Sequence, residues 1–268
     1  MKTKRIILSA LAISSVSATL TQASVIIIQE NFAGAASSDL AGTTPTTGTG
    51  TWIGDAGFKA DGSMSLGGNR SASLDLGSVI NDAKGTADGL FQLTTTLAAP
   101  TSGAWYSIGF GQEAAPSTSA HFLGQNSIGS LILRSTGEID MWAGNGFTPN
   151  GLTAIGNSNA IDGPDLTSGE TRTFIIEVDL RNWDGVTDFG TVSYSDSVVG
   201  AIGSFAYTEA SATSQGDPDW NSITLSGPNT AAGNYSSLTL TQITAVPEPG
   251  SVALLSLGAL GILRRRRA

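Results

Sequence analysis

Between residues 24 and 245, apolar side chains repeatedly fall at every second position. No stretch holds the three-and-four spacing of an amphipathic helix over three turns. Successive side chains on a strand point to opposite faces, so this period predicts half-buried β-strands. Phe91, Leu93, Thr95 and Leu97 share one face of Phe91–Leu97, and Phe174, Ile176, Val178 and Leu180 share one face of Thr173–Leu180. Further strands are expected at Val25–Phe32, Trp105–Phe110, Ser130–Arg134, Glu138–Trp142, Thr191–Asp196, Ser222–Leu225 and Ser237–Ile243. Ser135-Thr136-Gly137 is a hairpin turn joining two of them, and Asp184-Gly185 is a second turn signal. Gly42–Gly50, rich in Thr and Gly, reads as a surface loop. About ten strands without an interior linker predict one all-β domain, an antiparallel β-sandwich spanning 24–244.

Charge separates this middle section from both ends. Three of the 13 Lys/Arg lie in residues 1–23 and four in the last 23, where Glu248 is the one acid. The middle therefore holds six basic residues against 21 of the 22 Asp/Glu, a formal charge of −15. Nucleic-acid binding depends on Lys and Arg displacing counterions, so a nucleic-acid partner is excluded for this section. With no Cys and a single His, His121, the chain has no disulfide, thiolate metal site or Cys nucleophile.

The ends read as processing signals. Residues 1–23 combine a basic start (Lys2, Lys4, Arg5), an apolar run Ile6–Ile13 and a small-residue stretch, which together predict a secretory signal helix. Cleavage is expected between Ala23 and Ser24, with Ala18 as the second choice. In the last segment, 245–268, Val246-Pro247-Glu248-Pro249 precedes the apolar run 250–263 and Arg264, Arg265, Arg266 and Arg267. Fourteen apolar residues make a helix of roughly 21 Å, short for a hydrocarbon core of about 30 Å. Val246 and snorkelling arginines extend its reach as a transmembrane helix. The arginines favour the cytoplasmic side, and the two prolines keep the preceding peptide extended.

This order of parts resembles the PEP-CTERM sorting signal of Gram-negative, biofilm-forming bacteria. The resemblance implies recognition of Pro247-Glu248-Pro249 by an exosortase, removal of the tail, and delivery to the cell surface or exopolysaccharide matrix. The pattern of strands also resembles the concanavalin/laminin-G-like jelly rolls often found ahead of such tails.

Within the middle section, Glu138-Ile-Asp140-Met-Trp142 resembles the Glu-x-Asp-x-Glu strand of laminarinase-type glycoside hydrolases. Retaining hydrolysis needs two carboxyl groups about 5–5.5 Å apart. Here Trp142 stands at the third acidic position, and Ala143 takes it if the strand is bulged, so the acid/base is missing. The resemblance implies a degenerate site at most. Glu138 and Asp140 then read as solvent-facing residues of a hairpin strand. Trp142 lies on their polar face, with Ile139 and Met141 turned to the core. An indole on a polar face can stack on the C–H surface of a sugar, which makes Trp142, Glu138 and Asp140 the candidate glycan contacts. Trp52, Trp105, Trp183 and Trp220 lie near loops and offer similar rings, or close the edges of the sandwich.

No metal or cofactor site is expected. Asp162-Gly-Pro-Asp165, Asp217-Pro-Asp219 and the group Asp179, Asp184, Asp188 are the only weak Ca²⁺ candidates. Calcium takes six to eight oxygens, and without an EF-hand spacing these acids read first as turn formers. His121 lacks a Gly-x-Ser-x-Gly elbow to serve as base. Gly54–Gly57 and Gly144–Gly146 lack the strand-to-helix setting of a phosphate loop. The expectation is an exported, non-catalytic surface or matrix protein, structural or adhesive, with a lectin-like carbohydrate-binding module as the alternative.

Overall fold

The computed structural model describes residues 22–64, 69–98, 105–112, 127–137, 139–144, 160–161, 170–207, 217–228 and 235–245. Ser24–Thr244 form one compact unit. The second unit, Met1–Ala23 with Ala245–Ala268, lies almost wholly outside the described residues, as do the expected signal and tail helices. Among the described residues no helix is long and apolar enough to cross a membrane.

Thirteen strands are described: β1 Gln22–Glu30, β2 Trp52–Gly54, β3 Asn69–Asp75, β4 Leu90–Ala98, β5 Trp105–Gly111, β6 Ser127–Arg134, β7 Ile139–Gly144, β8 Ala160–Ile161, β9 Thr171–Asp179, β10 Thr191–Asp196, β11 Gly200–Ala206, β12 Ser222–Pro228 and β13 Tyr235–Ala245. They form a six-stranded sheet, β1-β13-β4-β9-β10-β11, and a seven-stranded sheet, β2-β3-β12-β5-β6-β7-β8. Strand pairs are antiparallel throughout the larger sheet and from β13 to β11 in the smaller. The expected all-β antiparallel sandwich is what the chain forms.

The alternation explains the packing. On β4 and β9, Phe91 stands opposite Val178 and Leu93 opposite Ile176, and all four are fully buried. Ala72, Leu74, Ile223, Leu225, Ile108 and Phe110 fill the facing layer. Each such Val, Leu, Ile or Phe side chain contributes about 1.5–3 kcal/mol when fully removed from water. Thr95 shares the inward face of β4, and its hydroxyl is satisfied by donating to the Ser237 carbonyl at 3.0 Å. The expected hairpin is present: Gly137 has φ 91° and its N–H donates to the Arg134 carbonyl.

Four strands, β2, β3, β8 and β11, have no counterpart in the alternation reading. Within Arg70-Ser-Ala-Ser-Leu-Asp75 of β3, only Ala72 and Leu74 are apolar, yet the strand lies between β2 and β12. Its small side chains make the strand invisible to a hydrophobic pattern, while its neighbours supply the pairing. β6 also begins earlier than expected. Its register shifts between Ile108 and Phe110 of the partner strand, at Gly129, whose φ of 56° suits glycine.

Two buried tyrosines fasten the sheets to each other. The Tyr207 hydroxyl, next to β11, donates to the Ala143 carbonyl at 2.6 Å and accepts the Gly129 N–H at 3.1 Å. It thereby serves the backbone donor at the β6 irregularity. The Tyr235 hydroxyl on β13 points to the carbonyls of Ser107 and Ser226, at 2.6 and 3.0 Å. Burial pushes both phenols well above their ordinary range. Tyr235→Phe is expected to lower stability by about 1–2 kcal/mol, because it removes a buried donor while its carbonyls stay dry. Urea unfolding with an unchanged m-value checks this.

Candidate functional site

The outward face of the seven-stranded sheet differs from an ordinary solvated face. Register places Ser71, Ser226, Ser107, Ile132 and Asp140 in one row across β3, β12, β5, β6 and β7. Ser73 and Thr224 lie opposite each other in the next row, which ends with Ser130 opposite Trp142. Between them Gly109, paired with Thr224, approaches β6 so closely that a Cβ would lie 2.2 Å from Ser130 Oγ. The floor is thus made of small hydroxyl side chains, all buried.

At the β5–β6–β7 end this floor gives way to aromatic and charged groups. Trp105 and Trp142, both half-buried, pack on Ile132 as an apolar cluster separate from the main core. Beside them Asp140 is only 5% exposed. Its Oδ2 accepts from Arg134 Nε, and Arg134 itself is 42% exposed. Asp140 Oδ1, Trp142 Nε1 and, further along the face, Ser73 Oγ are buried without a hydrogen-bond partner. A dry, unpaired polar atom costs about 1–3 kcal/mol, and three such atoms lie on this one face.

The candidate contacts are therefore only partly where the hairpin-strand reading put them. Ile139 and Met141 face the core as expected. Asp140 is not solvent-facing: it stands between Ile132 and Ala160 of the flanking strands, is buried, and is paired with Arg134. Trp142 does stand on the face that carries Asp140. Glu138 lies outside the described residues. Arg134 and the serine rows were missed, since the sequence shows a polar position without showing which strands bring such positions side by side.

The other tryptophans separate into two kinds. Trp52 and Trp220 offer no ring to a ligand, being 1% and 0% exposed. The Trp52 indole donates to Glu30 Oε2 at 3.0 Å, and Trp220 packs edge-on against Phe110 and Tyr207. Trp183 packs edge-on against Phe189 and carries Lys84 Nζ 4.1 Å above its ring. Lys84 also bonds Asp219 and the Pro218 carbonyl, both at 2.9 Å.

The loop of Asp184 and Asp188 is held as a turn by its own carboxylates. Asp184 Oδ1 accepts the N–H groups of Val186, Thr187 and Asp188 at 2.7–2.9 Å, and Oδ2 accepts the Thr187 hydroxyl. These donors hold its carboxyl far below the usual range. A depressed carboxylate stabilises the fold above its unfolded pKa, near 3.9, and that contribution is lost as pH falls through the folded value. Asp184→Ala is accordingly expected to melt earlier than the parent at pH 7. The two melting points should converge as the pH drops well below 3. Scans across that range check the sign. Asp179 pairs with Arg181 at 2.6 Å, and no three Asp, Glu or His side chains gather among the described residues. Asp162, Asp165 and His121 lie outside them.

Several solved structures are similar in outline. The carbohydrate recognition domain of Emp46p aligns at TM-score 0.42 and 10% identity, over 77% of this chain and 97% of that one. The CBM2 module of the Lactobacillus casei BL23 phage J-1 evolved Dit aligns at 0.40 and 10%, over 85% and 99%. Arcelin-5, a lectin-like defense protein from Phaseolus vulgaris, aligns at 0.40 and 13%, over 82% and 98%. At such scores the likeness says nothing of ligands. No curated protein matches the sequence. The tail is different, because residues 245–267 match the PEP-CTERM protein-sorting motif. The chain carries a PEP-CTERM sorting signal at its C-terminal end, which implies an exported, surface-sorted protein processed by an exosortase.

Proposed function

We propose that this is a non-catalytic adhesive protein of the surface or exopolysaccharide matrix of a Gram-negative bacterium, attached to its glycans through the outward face of the seven-stranded sheet. On this reading residues 1–23 direct export, with cleavage between Ala23 and Ser24. The segment 250–263 holds the chain in the membrane transiently, with Arg264–Arg267 on the cytoplasmic side. The exosortase acts at Pro247-Glu248-Pro249, and 24–244 remains as the mature domain. The sorting motif supports the location. The observation that carries the adhesive role is the Trp105–Ile132–Trp142 cluster beside an Asp140 oxygen left without a partner.

The same strand supports the non-catalytic reading. Trp142 stands at the third acidic position and Asp140 is engaged by Arg134, which argues against the two free carboxyl groups of a retaining glycosidase on this strand. No calcium is required in this reading.

Two experiments test it. Replacing Pro247, Glu248 and Pro249 by alanine in the producing cells should leave the tail uncleaved and lower the surface-exposed fraction at least tenfold, read by immunoblot of cell fractions. Unchanged processing would remove the sorting part. Residues 24–245, incubated with exopolysaccharide, should be retained saturably without release of reducing ends, and Trp142→Ala should weaken retention about tenfold. Retention that ignores Trp142 would remove the adhesive part.

A further inference from the structure

We infer that Asp140 is the specificity-determining residue of the outward face and that it selects uncharged sugar rings over uronates. The inference rests on the glycan-binding reading above and adds the chemical class of the ligand.

Three observations lead to it. First, Arg134 is the cation beside the Trp105–Ile132–Trp142 cluster, and Asp140 engages it through Oδ2. A free guanidinium would recognise a sugar carboxylate in bidentate fashion. Neutralised by Asp140, it has little net charge to offer. Second, the atom that Asp140 leaves open is Oδ1, which is buried and has no partner. An ionised carboxylate can only accept hydrogen bonds. The complementary group is therefore a donor, as a sugar hydroxyl is and a uronate carboxylate is not. Third, Trp142 Nε1 is a donor left unpaired on the same strand two residues away. An unpaired acceptor and an unpaired donor on one strand face match a hydroxyl-bearing ring, whose oxygens both give and take hydrogen bonds. A carboxylate brought against Asp140 would instead place two anions in contact, inside a domain of formal charge −15.

Access fits this arrangement. Arg134 and the two half-buried indoles are the members of the cluster open to solvent.

The test uses residues 24–245 with two soluble probes, a neutral β-glucan and alginate, a polyuronate, by titration calorimetry at low salt. The parent is expected to bind the glucan and to bind alginate at least tenfold more weakly. Asp140→Ala should lower glucan affinity at least tenfold, because the accepting oxygen is gone. It should also raise alginate affinity at least tenfold, because Arg134 is set free, and added salt should screen that gain. Should Asp140→Ala not fold, Asp140→Asn keeps the shape while removing the charge and must show the same gain for alginate. Arg134→Gln must leave alginate refused. Parent protein that prefers alginate, or variants of Asp140 that leave the ratio unchanged, overturn the inference while glycan binding stands. Protein that binds neither probe nor exopolysaccharide overturns both.

Discussion

Asp196→Ala is expected to destabilise the domain by about 3–5 kcal/mol, the cost typical of breaking one side of a buried ion pair. The Asp196 side chain is fully buried and its Oδ2 lies 3.3 Å from Arg172 Nη1, whose own side chain is 8% exposed. Oδ1 of the same carboxylate accepts the N–H groups of Val198 and Val199, at 2.6 and 3.2 Å, in the turn between β10 and β11. Removal therefore strands a buried cation and two backbone donors together. Glu170 still reaches Arg172 Nε at 2.7 Å, but from a partly exposed position. Equilibrium urea unfolding followed by tryptophan fluorescence gives the number. The control is Asp179→Ala, which removes the more exposed pair with Arg181 and is expected to cost less than about 1 kcal/mol. Equal losses in the two variants would mean that Arg172 is not desolvated as its burial indicates.

Gly109→Ala is expected to cost about 3 kcal/mol or more, at the upper end of what overpacking usually costs. The added carbon would lie 2.2 Å from Ser130 Oγ and 2.5 Å from Ser130 Cα. The first atom can rotate away, but the second is backbone, so β5 and β6 must separate. Ser130→Gly introduced with it should recover only part of the loss. Gly42→Ala is the contrast. There a Cβ meets nothing within 4 Å, and strain comes from its φ of +85° alone, worth about 1–2 kcal/mol. Thermal melts rank the three variants. Because Ser130 faces Trp142 across β6 and β7, Gly109→Ala should also weaken glucan retention in whatever fraction stays folded.

Much of the fold could be read from the chain because the strands that build the core alternate strongly. Phe91–Leu97 and Thr173–Leu180 announce one buried face each, and they pair with each other in the sheet. β3 and β11 could not be read that way. Arg70–Asp75 and Gly200–Ala206 carry serine, glycine and alanine where a buried strand usually carries large apolar groups. The strand state of β3 depends on β12, distant in sequence, whereas β11 takes its pairing from β10 across a short turn.

The site was legible in part. Trp142 and Asp140 are conspicuous as an aromatic and an acid on alternate positions of one strand. Their burial, and the pairing of Asp140 with Arg134 across the hairpin, are not conspicuous, nor is the serine floor drawn from β3, β12, β5 and β6. Trp52 and Trp220 take the enclosed one of the two alternatives the sequence offered, since a tryptophan near a loop is wholly enclosed when Glu30 or a ring stack receives it.

The sequence by itself determined the sandwich and the sorting signal, because both depend on local order: a two-residue period in one case and a contiguous motif in the other. Tertiary structure alone decided which polar groups were dried and left unpaired. Burial of a side chain such as Asp140 depends on strands that meet only after the chain has closed into two sheets, and hydrogen bonding depends on which atoms that closure brings within reach.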